Sequence, residues 1–466
     1  MNADDACGRG EASDETAPVL QPGDAGAPAG ALPRLMLLVG RFRNHIANLT
    51  AFTILQAASY LIPVVTIPYF ARTLGISGMG QLAIAGAVAL AAGVVMDFAI
   101  QLSGTRFAAA HADDPNALAD YLKASVVVKL TLMVPMFIAL AIGSLFVPAL
   151  MQHFWVFFWS LTSAAMICLF PQWLFQGLLV MPLAARILVT CRVGAAVAAM
   201  AMVRTPGDLF IVPMTQAVGG MAALIATGLL LKRRFGIAPG LPTKGAAGAL
   251  ARENRTLFSA TAWGAAYTHG GVIIMSMLLP AVSIGYYSIA QKISQAFVSM
   301  FNVAAQTGFP TFVRTHARAG SLFARQVKIY MAVVLAVSAS ALLIMLLLRE
   351  PIYHFFAGER SALGAQVFVL WLVASLFTIA SVSLNPVMVV LRLDASMAKV
   401  YQWTGLTFLV VAPIACAWFG ILGMAGVTLF TEGFMAFFCA TSVMIALRQT
   451  WRRQAPSPQT AGSELQ

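Results

Sequence analysis

The strongest constraint on folding is a succession of about twelve apolar stretches, each long enough to cross a bilayer as a helix, which takes about 20 residues. They lie near residues 47–71, 79–103, 122–148, 154–176, 185–204 and 208–231, then 257–280, 284–311, 327–349, 363–391, 398–418 and 421–447. Inside lipid every backbone polar group must be satisfied within its own segment, so stretches of this length are read as helices. Composition agrees. The chain is 60% hydrophobic and 10% charged, with mean hydropathy +0.83, whereas a soluble domain carries about 25% charged residues. The expected fold class is an all-α polytopic membrane protein of about twelve transmembrane helices.

The net charge of +12 invites a nucleic-acid reading. The distribution argues against it. With the N-terminus inside, 23 of the 29 Lys and Arg fall in cytoplasmic segments. Arg72, Arg204, Arg349 and Arg360 fall outside, and Lys129 and Lys292 fall within spans. Such a bias predicts both termini in the cytoplasm and an even number of spans. Residues 1–33 are rich in Ala, Gly, Pro and Asp and lack the basic-then-apolar order of a signal peptide, so they read as a disordered cytoplasmic tail. The segment 448–466 reads as a second cytoplasmic tail.

The longest hydrophilic interruption, Lys232–Arg255, divides the spans into six and six. The expected organisation is a tail and juxtamembrane segment at 1–45, a six-helix lobe at 46–231, a cytoplasmic linker at 232–255, and a second six-helix lobe at 256–447. The halves echo one another. Gly80-Gln-Leu-Ala83-Ile-Ala85 opens the second span and Gly285-Tyr-Tyr-Ser288-Ile-Ala290 opens the eighth, 205 residues later. An even number of spans per half gives both halves one orientation, as in a parallel repeat about an axis along the membrane normal.

No catalytic constellation is visible, and no P-loop that would make the chain an ATPase. The six histidines and the scattered cysteines show no metal-ligand spacing, so no metal or cofactor is expected. What stands out is a set of groups that are expensive at bilayer depth. Pro63 and Pro68 interrupt the first span and are expected to bend it. Asp97, Lys129, Lys292 and Glu432 are ionisable groups at or near that depth, where a charge costs roughly 2.5–3.5 kcal/mol on insertion scales. Arg72, Arg106 and Arg314 flank spans, where interfacial anchoring alone would account for them. Asp97 has an equally simple reading, as the partner of a Lys or Arg on a neighbouring helix. The stretch Phe154–Trp159 reads as an interfacial aromatic belt. Phe170-Pro171-Gln-Trp173-Leu-Phe175-Gln176 reads as either a sugar-contacting wall or a belt with a kink.

Several of these segments resemble the polysaccharide-export (Wzx-type) flippases of the multidrug/oligosaccharidyl-lipid/polysaccharide (MOP) superfamily. The matching residues are Leu55-Gln56, Tyr60-Leu-Ile-Pro63, Ile67-Pro68-Tyr69, Ala71-Arg72-Thr-Leu-Gly75 and Gly78-Met-Gly80. Asp97-Phe98, Leu102-Ser-Gly-Thr-Arg106, Ala110-His111-Ala-Asp113-Asp114 and Val128-Lys129-Leu130 follow, then Phe170–Gly177, Tyr287–Lys292 and Phe309-Pro310. Where the family usually carries Pro-Glu-Trp, this chain has Gln172. Glu432 sits where such proteins often carry an acidic residue.

The resemblance implies two six-helix bundles around a central cavity, working by alternating access in the bacterial inner membrane. It implies a polyprenyl-pyrophosphate-linked oligosaccharide as substrate, serving O-antigen or exopolysaccharide synthesis. Further expected partners are membrane lipids, a polysaccharide polymerase and chain-length proteins. Lys129, Lys292, Arg72, Arg106 and Arg314 are then candidate pyrophosphate or sugar contacts, since Lys and Arg bind phosphate. Asp97 and Glu432 are candidates for ion coupling or structural pairing. The alternatives are a multidrug exporter of the same superfamily, which calls for carboxylates in the cavity, and a membrane polysaccharide polymerase or ligase, which calls for a large outer loop.

Overall fold

The computed structural model describes residues 31–236, 240–318 and 320–454. Residues 1–46 form one compact unit and 47–466 another. In the first unit the chain is helical from Ala31 onward, so part of the stretch expected as tail and juxtamembrane segment is helix. Residues 448–454 of the second expected tail continue α14 as helix, and the rest of the two expected tails, 1–30 and 455–466, lies outside the described residues. The rest concerns the second unit.

The described residues are all-α, with no strand among them. In chain order the helices are α1 (Ala31–Asp97), α2 (Ile100–Ala110), α3 (Pro115–Phe146), α4 (Pro148–Gln152), α5 (Phe154–Leu169), α6 (Gln172–Gly177) and α7 (Met181–Met202). A 3₁₀ turn at Pro206–Phe210 leads to α8 (Ile211–Phe235). Then follow α9 (Ala246–Leu278), α10 (Ala281–Arg318), α11 (Gly320–Leu347), α12 (Arg349–Ala357), α13 (Ala362–Val390) and α14 (Asp394–Gln454).

Two of these helices are each a fused pair of spans. Inside α1 the backbone leaves helical geometry at Gly75 (φ 73°), and inside α14 at Gly420 (φ 59°). Positive φ is cheap only for glycine, so both reversals fall on glycine. Eight helices among the described residues are long and apolar enough to cross a membrane, and these include both fused pairs, Thr50–Asp97 and Lys399–Leu447. Counting each fused pair as two, and adding α9 and α10, recovers the twelve spans expected from hydropathy. Pro63 and Pro68 lie inside α1, and the backbone stays helical through both and turns only at Gly75.

Local starts follow recognisable chemistry. Asp114 accepts from the Asn116 and Ala117 amides at 3.0 Å, with Pro115 in the first turn of α3. This satisfies two of the amides that a helix start leaves unpaired. Ser361 caps α13 by accepting from the Gly364 amide. The expected linker is not free chain. From Ala246 it is helical, and Thr243 donates its amide and hydroxyl to Asp120 of α3.

The buried apolar residues form three clusters. The first draws on both halves: Ile76, Met79 and Phe157 pack with Ile284, Tyr353 and Phe368. It lies at the end of the molecule where Gly75 turns. At the other end, which carries the Lys- and Arg-rich segments, the core divides. One cluster there belongs to α1–α8 and the start of α9, around Ile100, Trp173, Phe175 and Leu250. The other belongs to α10–α14, around Phe312, Phe323, Met388 and Met435. The halves thus share a core at one end and keep separate cores at the basic end.

Candidate functional site

Asp97 ends the second span, and the next two residues, Phe98 (φ 48°) and Ala99 (φ 59°), adopt left-handed geometry. That geometry costs a non-glycine residue roughly 1–2 kcal/mol, so the junction needs outside support. Lys129 of α3 supplies it. Its Nζ donates to Asp97 Oδ1 at 2.8 Å and to the Cys168 carbonyl at 2.6 Å. The Cys168 carbonyl lies in the last turn of α5, where carbonyls lack helical partners and the helix dipole favours a cation. Asp97 Oδ2 in turn accepts from the Gln101 amide at 3.2 Å in the first turn of α2. One ammonium therefore ties together the ends of three helices. Lys129 is 2% exposed and Asp97 24%.

The node continues outward. Gln101 Nε2 donates to Gln176 Oε1 at 3.0 Å, and the Thr105 hydroxyl, which donates to the Gln101 carbonyl at 2.7 Å, lies 3.3 Å from the same Gln176 oxygen. Ser103 shares a hydrogen bond with Tyr121. Trp173, 1% exposed, lies flat against Gly104, where a Cβ would come within 2.7 Å of the indole. Leu174 and Phe175 are also buried. Of the Phe170–Gln176 stretch, expected as a sugar-contacting wall or a belt with a kink, the kink is present, since the helix breaks between Leu169 and Gln172, while its large side chains are packing core of the first half. The helix pair α2 and α6 approaches this closely because Gly104 leaves room for the Trp173 indole and Gly177 leaves room for Ala108 and the backbone of α2.

The other expected residues are spread over the molecule. Arg72 is exposed at the Gly75 end, donates to the Phe355 carbonyl at 3.0 Å and stands 5.5 Å over the Phe355 ring. It joins the first half to α12 of the second. Its neighbours Pro68, Tyr69 and Phe355 line an open groove of about 640 Å³. Arg106 is exposed on α2. Lys292 is half-buried on α10, in the other half from Lys129, and has no ion pair among the described residues, where Asp97–Lys129 is the one recorded. Glu432 is half-buried on α14, within electrostatic reach of Tyr401, which receives a hydrogen bond from Asn385. The Arg314 side chain lies outside the described residues. Among the described residues no cluster of three His, Cys, Asp or Glu is placed to hold a metal.

One residue escaped the sequence reading. The charge count places Arg192 on the cytoplasmic side, although the expected span 185–204 already contains it. The helix starts at Met181, so Arg192 stands about 16 Å along a helix of 22 residues, near mid-membrane. It is half-buried and donates to the Ser59 hydroxyl of α1. The signal that would have found it is Pro182, which belongs in the first turn of a helix.

Comparisons with known proteins agree with this architecture. A model of the family described as "Polysaccharide biosynthesis protein" matches residues 46–316. A protein of Escherichia coli (strain K12) is 26% identical over 270 residues, which cover 58% of this chain and 65% of that protein. A protein of Shigella dysenteriae is 23% identical over 401 residues, 85% of this chain and 99% of that protein. Both carry the name "Putative O-antigen transporter". Among solved structures, the inward-facing conformation of a multidrug resistance MATE family transporter of the MOP superfamily superposes with TM-score 0.56 at 11% identity, over 89% of this chain and 96% of that one. The outward-facing conformation of such a transporter gives 0.54 at 12% identity, over 87% and 96%. At these identities the structures speak to the fold alone, which this chain shares with them. With more than half its length matched, the chain belongs to the polysaccharide biosynthesis protein family.

Proposed function

We propose that this chain is a flippase that carries a polyprenyl-pyrophosphate-linked oligosaccharide from the cytoplasmic to the outer leaflet of a bacterial inner membrane by alternating access, with both termini in the cytoplasm. The observation that carries the reading is the pair of interior cations that have no carboxylate in an ion pair among the described residues: Lys292 on α10, and Arg192 on α7 with a neutral hydroxyl as its recorded partner. An uncompensated charge at bilayer depth is retained when an anion comes to it. A pyrophosphate is such an anion, and a guanidinium binds it in a fork while an ammonium binds as a point charge. Lys129 is buried and engaged twice, so in this state it holds the lobe together and leaves substrate to the other cations. Asp97 is taken here as its structural partner and Glu432 as the candidate coupling group. A multidrug exporter is the second reading. It draws on the fold shared with MATE transporters, but the carboxylate of Asp97 is neutralised, which leaves a cationic drug little to bind.

The test is complementation of a deletion strain. Lys292→Ala and Arg192→Ala should each lose surface polysaccharide and accumulate lipid-linked repeat units at normal protein levels. Full polysaccharide from both variants, or drug sensitivity without accumulated repeat units in the deletion strain, would overturn the reading.

A further inference from the structure

The echo between Gly80-Gln-Leu-Ala83 and Gly285-Tyr-Tyr-Ser288 has a physical counterpart. A Cβ on Gly80 would lie 2.6 Å from the Ala281 carbonyl carbon and overlap its oxygen; it would also come within 3.0 Å of the Gly285 amide nitrogen. A Cβ on Gly285 would overlap the Ile76 carbonyl oxygen and come within 3.0 Å of its carbon. The offset is the same throughout: 205 residues separate Gly80 from Gly285 and Ile76 from Ala281. Position 80 meets position 281, and position 285 meets position 76. That reciprocity is the mark of a two-fold contact, as at a symmetric dimer interface. The pseudo-axis relating the halves therefore passes through this crossing of α1 and α10.

The contact is mostly backbone to backbone, with the Ile76 Cγ2 methyl the side-chain atom that reaches it, 2.7 Å from where a Gly285 Cβ would lie. Cα–H···O contacts of this kind are worth about 0.5–1 kcal/mol each. Around it the seal is completed by Met79 and Ile284, both buried, and by Arg72 reaching Phe355 and packing on Gly358. This is also the end where the halves share one apolar core, while the basic end holds two. We propose that the reciprocal Gly80–Ala281 and Gly285–Ile76 crossing is the separable seal of the central cavity at this end, and that any side chain at either glycine holds it apart. The cost of parting the seal lies in the apolar side chains packed around it rather than in the two backbones that meet. The seal closes tightly because glycine lets two backbones meet.

The test uses the full chain with its cysteines replaced, in lipid nanodiscs, with spin labels in pairs. Ser77 and Arg360 are exposed at the sealed end, in opposite halves; Asp113 and Lys328 are exposed at the basic end, also in opposite halves. Gly80→Ala and Gly285→Ala should each move the Ser77–Arg360 distance to longer values and the Asp113–Lys328 distance to shorter ones. The double variant should shift no further than either single one, because both substitutions break one contact. Gly86→Ala is the control, since a Cβ there has nothing within 4 Å. Should both glycine variants fail to fold, Ile76→Ala decides: it removes side-chain contact from the crossing without adding bulk, and should also lengthen the Ser77–Arg360 distance. Parental distances in folded Gly80→Ala and Gly285→Ala, equal movement in Gly86→Ala, or an unmoved Ile76→Ala when it alone folds, would overturn the proposal. No substrate enters this measurement, so its failure leaves the transport reading standing, and the reverse.

Discussion

The two halves treat a membrane-buried lysine in opposite ways. In the first, Lys129 is sealed in, paired with Asp97 and bonded to the Cys168 carbonyl, and it fixes a strained junction between α1 and α2. In the second, Lys292 is half-buried on α10 without an ion pair among the described residues. Equal residue types inside spans thus carry different energetic signatures. Removing one member of a buried pair leaves the other uncompensated and destabilises strongly, whereas removing an unpaired charge from an apolar setting costs the fold nothing. Stability measurements alone can therefore separate architecture from function in this chain.

The largest effect is expected inside the first half. Trp173→Ala empties the space against Gly104 and should cost about 3–5 kcal/mol, read as a lower Tm in detergent. A full Tm would mean the indole is not core. Next comes Lys129→Met, which strands the Asp97 carboxylate and the Cys168 carbonyl. It should cost roughly 3 kcal/mol, and Lys129→Met with Asp97→Leu should recover more than half of that. A double variant no better than the single one would dissolve the pair as a structural unit. Lys292→Met sharpens the contrast, with a Tm unchanged or raised and surface polysaccharide lost. The smallest effect belongs to exposed Arg106, where Arg106→Gln should stay within about 0.5 kcal/mol of the parent.

Much of this was legible in the sequence. The spans follow from hydropathy because lipid leaves the backbone no alternative to helix. The Gly80 and Gly285 echo marked the place where the halves meet, since a close backbone approach admits only glycine there. Depth was harder. Arg192 was misplaced because its charge assigned it to the cytoplasmic side of a span that already included it, and the proline that starts α7 at Met181 puts it deeper still. The side chains of Phe170–Gln176 were misread because an aromatic run has the same composition in a belt, a wall or a core. Only its partner Gly104 on α2, distant in sequence, decides which it is. The partner of Asp97 was anticipated as a class but not as Lys129, because nothing in one chain's sequence encodes which helix lies beside it.

The most direct measurement compares transport per folded protein in two variants: Lys292→Met, and Lys129→Met combined with Asp97→Leu. Lipid-linked repeat units reaching the outer leaflet would be counted for each. The expected result is a fall of about tenfold or more for Lys292→Met, the loss of one charged hydrogen bond of ~1.5 kcal/mol, with the double variant within about twofold of the parent. Parental transport by Lys292→Met, or a double variant equally inactive when folded, would contradict the division of labour between the two lysines.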